Sequence, residues 1–126
     1  MNEVEFCRWE NDCFGFGYGN GELHVMKSLK SFLSLCIGEN CQYDFKNLEK
    51  FLGGEVTWLL INALCRSPHD RRLRKDSAVE YGTSPRFGWL TKEGKELKEF
   101  CENKTAEQLC DILDHYDDME DDVYCV

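Results

Sequence analysis

One stretch restricts the fold of this chain more than any other. Between Gly53-Gly54 and Ser67-Pro68 lie Val56, Trp58, Leu59, Leu60, Ile61, Ala63, Leu64 and Cys65. A helix from Glu55 to about Arg66 would be apolar on nearly every side, so it is expected at the centre of the core. Ser67-Pro68 ends it, because the residue before a proline is pushed out of the helical region. Everything else must pack around this segment. On the N-terminal side, Leu23, Val25, Met26, Leu29, Phe32, Leu33 and Cys36 recur at helical spacing from Glu22 to Cys36. Gly38, Glu39 and Asn40 stop that helix. Asp44 is a good N-cap for the next, whose stripe is Phe45, Leu48 and Leu52.

Beyond the proline the pattern changes period. Ala78-Val79-Glu80-Tyr81 and Arg86-Phe87-Gly88-Trp89-Leu90 read as two short strands around Gly82-Thr83-Ser84-Pro85, with Tyr81, Phe87 and Trp89 placed to pair across the hairpin. Thr91 caps a helix carrying Leu97, Phe100 and Cys101. Thr105 with Gln108 forms a capping box ahead of Leu109, Ile112, Leu113 and Tyr116. The expected fold is mainly α with a small β-hairpin: three helices, a hairpin, then two helices. Its domain spans residues 21–113. An irregular glycine and aromatic segment, residues 1–20, precedes it, and an acidic C-terminal tail, residues 114–126, follows.

The 126 residues suit one domain, and 42% hydrophobic with 13% aromatic residues is enough to build a core without disulfides. No apolar run is long enough to span a bilayer, and Met1-Asn2-Glu3-Val4-Glu5-Phe6 lacks the basic and apolar parts of a secretory signal, so a cytoplasmic protein is expected, with no membrane partner. The 24 acids against 15 bases give −9, spread unevenly. Asp114, Asp117, Asp118, Glu120, Asp121 and Asp122 carry six of those charges, and without them the remainder stands at −3. Arg66, Arg71, Arg72, Arg74 and Lys75 form the opposite cluster, interrupted only by Asp70. Each patch is either solvated surface or a contact for a partner of opposite sign.

No catalytic set emerges. The eight cysteines lack a C-x2-C knuckle, and Cys36, Cys65, Cys101 and Cys110 fall on or beside apolar stripes, where a free thiol acts as a small hydrophobe. Phe14-Gly15-Phe16-Gly17-Tyr18-Gly19-Asn20-Gly21 fits no phosphate-binding register, and Glu22 would oppose an anion there. His24, His69 and His115 are scattered. Glu93, Glu96, Glu99 and Glu102 alternate with Lys92, Lys95 and Lys98 as on a solvated helix face. No cofactor is expected, and the chain is read as a non-enzyme.

The segment Arg86-Phe87-Gly88-Trp89-Leu90-Thr91-Lys92-Glu93-Gly94 resembles the wing-to-helix junction of MarR-like winged-helix repressors, where a wing arginine precedes a strand ending in Leu-Thr-x-x-Gly. The resemblance covers about ten residues firmly and the element order of residues 21–103 loosely. It implies a winged-helix scaffold, with Glu55–Arg66 in the major groove and Arg86 on the wing. The residues themselves point elsewhere. Only Thr57, Asn62 and Arg66 offer hydrogen bonds to base edges, and −9 opposes phosphate neutralisation. The expectation is therefore an interaction or inhibitor module whose partner is a protein that handles nucleic acid, met through Arg71, Arg72, Arg74, Lys75, Arg86, Asp117, Asp118, Glu120, Asp121 and Asp122. Small acidic domains of this kind can occupy basic grooves as DNA mimics, as phage inhibitors of host defence nucleases do. The alternatives are a DNA-binding winged-helix regulator and a zinc or thiol-dependent protein.

Overall fold

The computed structural model describes residues 1–14, 21–66 and 77–115. Among them are six helices and a small antiparallel sheet: α1 Glu3–Phe14, α2 Glu22–Ser34, β1 Gln42–Asp44, α3 Phe45–Leu52, α4 Gly54–Leu64, β2 Val79–Tyr81, β3 Phe87–Leu90, α5 Lys92–Glu102 and α6 Ala106–Asp114.

The first correction is α1, which occupies most of a segment expected to be irregular. The Asn2 side chain accepts from the Glu5 amide at 2.8 Å and satisfies one of the free donors of the first turn. Phe6, Cys7, Trp9 and Cys13 are all buried. The Phe6 ring lies 4.9 Å from Phe100 of α5, and the Cys7 thiol donates to the Ile112 carbonyl of α6. Hence α1 shares the core of the expected 21–113 domain rather than preceding it.

The capping signals hold at three starts. The Asp44 side chain accepts from the Lys46 amide at 3.0 Å, Thr91 accepts from the Gly94 amide, and Thr105 and Gln108 form a reciprocal capping box. Helix α2 ends two residues earlier than Cys36, and a tight turn with Gly38 at φ +87° follows. That turn leads into β1, a strand the sequence reading lacked.

The sheet order is β1-β3-β2, so β3 is central. Its register corrects the expected aromatic pairing. Tyr81 lies opposite Gly88, and Trp89 lies between Gln42 and Glu80. Phe87 faces Asp44 across β1 and is largely exposed. Gly88 also faces Tyr43, and a Cβ there would stand 2.6 Å from the Glu80 carbonyl oxygen. Only glycine fits this position.

The Leu90-Thr91-x-x-Gly94 run has a physical reason. Leu90 is buried, the Thr91 hydroxyl donates to the Ser77 carbonyl at 2.6 Å, and the Thr91 amide donates to Ala78. Gly94 presses so closely on the Ala78 carbonyl that a side chain would collide with backbone. One threonine thus caps α5 and ties it to the start of β2. Lysines tie α5 to α2 as well. Lys30 of α2 donates to the carbonyls of Cys101 and Lys104, while Lys98 of α5 donates to the Cys36 carbonyl at 2.9 Å. Each helix thereby supplies a cation to carbonyls at or just past the other's C-terminal end, where the helix dipole favours one.

Candidate functional site

Helix α4 is central but not wholly buried. Thr57, Leu60, Ile61, Ala63 and Leu64 face the core, whereas Glu55, Leu59, Asn62 and Arg66 recur at i, i+4, i+7 and i+11 along an exposed stripe. Leu59 retains 43% exposure there. Thr57, expected as a base reader, is fully buried and donates its hydroxyl to the Gly53 carbonyl at 2.8 Å. Beside the stripe, Trp58 is half-buried and its ring lies 4.5 Å from Phe45 of α3. The Arg86 guanidinium sits 5.5 Å from the centre of the same Phe45 ring. Arg86, the buried Phe45 and Trp58 thus stack in series, linking the hairpin to α4.

Arg86 is held at its root. Its carbonyl accepts from the Phe45 amide at 2.8 Å, and its amide donates to the Ser84 hydroxyl. The Tyr43 hydroxyl donates to the Pro85 carbonyl at 2.7 Å, fastening the turn to β1. Of the ten expected contact residues, the structure places only Arg86. Arg71, Arg72, Arg74, Lys75, Asp117, Asp118, Glu120, Asp121 and Asp122 lie outside the described residues. Asp114, assigned to the tail, is the last residue of α6.

A second feature escaped the sequence reading because its members lie about a hundred positions apart. Glu107, Asp111 and Asp114 share one exposed face of α6, around the half-buried Cys110. The Asp114 carboxyl hydrogen-bonds that of Glu22 in the first turn of α2, and burial together with this neighbour raises the Glu22 pKa. Glu10 of α1, within electrostatic reach of Glu22, is only 8% exposed. Burial, reinforced by the Glu22 charge, pushes its pKa up to about 7. Burial and the four carboxylates of Glu22, Asp114, Asp111 and Glu107 likewise raise the Cys110 thiol.

Three further thiols, Cys36, Cys65 and Cys101, are poor nucleophiles at neutral pH. Burial pushes Cys36 and Cys101 up to about 12 and Cys65 to about 11. Among the described residues no three histidine, cysteine or acidic side chains converge as metal ligands, and no helix is long and apolar enough to cross a membrane. A cavity of about 230 Å³ opens between α2 and α5, but Lys30 and Lys98 on its wall already hold backbone carbonyls. Compared with known proteins, the chain matches no family model, no curated protein and no solved structure.

Proposed function

We propose that this chain is a non-enzymatic protein-binding module on a winged-helix-like scaffold. The scaffold half of the reading is supported by the order α2-β1-α3-α4-β2-β3-α5 and by β3 lying between β1 and β2, as in winged helices. The functional half rests on one observation, the exposed stripe of α4. A major-groove helix needs hydrogen-bonding or cationic side chains toward the bases. Here that stripe begins with an acid, Glu55, and continues with Leu59, flanked by Trp58, and only its far end carries Asn62 and Arg66. An aromatic and a leucine beside an arginine suit a protein interface, where such groups serve as anchors. The acidic surplus favours a partner whose own surface is built for phosphate.

Leu59→Glu tests this directly, because an exposed site tolerates the charge while an interface does not. The protein partner captured by the wild type should be lost with Leu59→Glu at an unchanged melting temperature. Retention of that partner, together with retardation of duplex DNA at about 50 mM salt, would replace this reading with that of a DNA-binding regulator.

A further inference from the structure

A cavity of about 350 Å³ lies where the turn after α2, strand β3 and the start of α5 meet, lined by Asn40, Gln42, Trp89, Leu90 and Lys95. Its volume suits a small ligand or a single bound residue. Backbone bonds tie its walls together. Ile37 and Gln42 exchange both of their hydrogen bonds, at 3.0 and 2.9 Å, and the Leu90 amide donates to the Cys41 carbonyl at 3.1 Å. The Lys95 amide donates to the Thr91 carbonyl at 2.9 Å. Among the described residues Cys41 alone holds a positive φ without being glycine, at +49°, and it stands between Asn40 and Gln42. A glycine would adopt that conformation more easily, so the turn accepts backbone strain where it carries two carboxamides to the cavity wall.

Four of the five lining side chains bear a hydrogen-bonding group: two carboxamides, an indole and an ammonium. None of the four forms a hydrogen bond or ion pair through its side chain with the described residues. The cavity between α2 and α5 differs, because Lys30 and Lys98 there are engaged with backbone carbonyls. Lys95 is the one charged residue of the lining.

Each group narrows the ligand. The ammonium selects an anion, and a single carboxylate balances it one to one, whereas a phosphate brings nearly two charges. Glu80, opposite Trp89 on β2, adds a negative charge nearby that disfavours the larger anion further. A carboxamide offers a donor beside an acceptor and so matches a peptide group. Trp89 and the buried Leu90 offer apolar surface to a side chain. We infer that this cavity binds the carboxyl-terminal residue of a partner protein, with its carboxylate on Lys95, its peptide group on Asn40 and Gln42, and an apolar side chain against Trp89 and Leu90. Because the walls are already tied, little ordering is subtracted from affinity. This is a second contact for a protein partner, at a site with no residue from α4.

The probes are acetylated Gly-Ser-Gly peptides ending in Leu, Val or Phe, each as the free acid and as the carboxamide, with AMP as a phosphate-bearing comparison. They are titrated into the isotope-labelled full chain by NMR. At least one free acid should bind with a Kd of about 1 mM or tighter and shift the backbone amides of Asn40, Gln42, Trp89 and Lys95. Its carboxamide should bind about tenfold more weakly. Lys95→Met should weaken the acid about tenfold and leave the carboxamide unchanged, while Lys46→Met, an equal charge loss elsewhere, should stay within about twofold for both. Equal affinity for acid and carboxamide would overturn the inference, as would unchanged acid binding in Lys95→Met. So would the absence of shifts at these amides with every acid at about 10 mM. Tighter binding of AMP than of any acid would overturn it in favour of a phosphate ligand. Leu59→Glu should leave these titrations unchanged, so failure here and failure of the α4 reading are distinguishable.

Discussion

The two ends of α2 meet opposite electrostatic surroundings. Toward its C-terminus, Lys30 and Lys98 cross between α2 and α5 and donate to carbonyls at or just beyond the ends of the partner helices. At its N-terminus, Glu22 meets Asp114 and its charge reaches Glu10, and no lysine or arginine among the described residues pairs with these carboxylates. In the first region charge is directed to backbone carbonyls at helix C-termini. In the second, charge accumulates at the expense of stability. A fold that pairs its lysines with carbonyls at one end of a helix and leaves carboxylates together at the other separates charge that holds the backbone from charge that does not.

Substitutions break this contrast in a definite order. The largest effect is expected at the start of α5, where Gly94→Ala forces a methyl into the Ala78 carbonyl. We expect a loss of about 3 kcal/mol in urea unfolding. Lys30→Met comes next. It strips a donor from the Cys101 and Lys104 carbonyls and should cost about 2 kcal/mol, with Lys98→Met costing less because it frees one carbonyl.

The acidic end should respond with the opposite sign. Glu10 has a folded-state pKa near 7 against an ordinary value of 4.5. Between those values the folded chain holds a proton that the unfolded chain releases. The contribution of this group is therefore fully present below about pH 4.5 and is lost as pH rises through about 7. Glu10→Gln should raise stability by about 1–2 kcal/mol at pH 8, after allowance for solvent screening, and by little at pH 5. Thermal melts of both proteins across that window check the sign. The smallest expected effect is Asp114→Asn, which removes one exposed acid from the helix end and should stabilise by about 0.5 kcal/mol at neutral pH.

Much of this architecture was legible, for local reasons. Asp44, Thr91 and the Thr105–Gln108 pair each announced a helix start through side chains acting on amides two or three residues away. Helix α1 carried comparable information in Asn2 and in the spacing of Phe6, Trp9 and Cys13, but the neighbouring alternation of glycine and aromatics dominated the reading of that segment. Strand β1 has three residues and a single buried side chain, Tyr43, too little for a period of two to show. The breadth of α4 misled in another way. Its apolar content implied full burial, yet Leu59 lies on the stripe that no other described element covers. The carboxylate cluster was beyond local reading, because only the packing of α1, α2 and α6 brings positions 10, 22 and 114 together.

The Tyr43 hydroxyl on the Pro85 carbonyl has a consequence for the thermodynamics of association. Hairpins usually stop moving only when a ligand orders them, and that ordering subtracts from affinity. Here the phenol anchors the turn, the Phe45 amide anchors Arg86, and Gly88 allows the strands to close without a gap. Arg86 and Phe87 are thus presented from a frame whose entropy was surrendered during folding. Replacing the phenol by Tyr43→Phe would return that cost to the binding step, and it would surface as a less favourable entropy of complex formation.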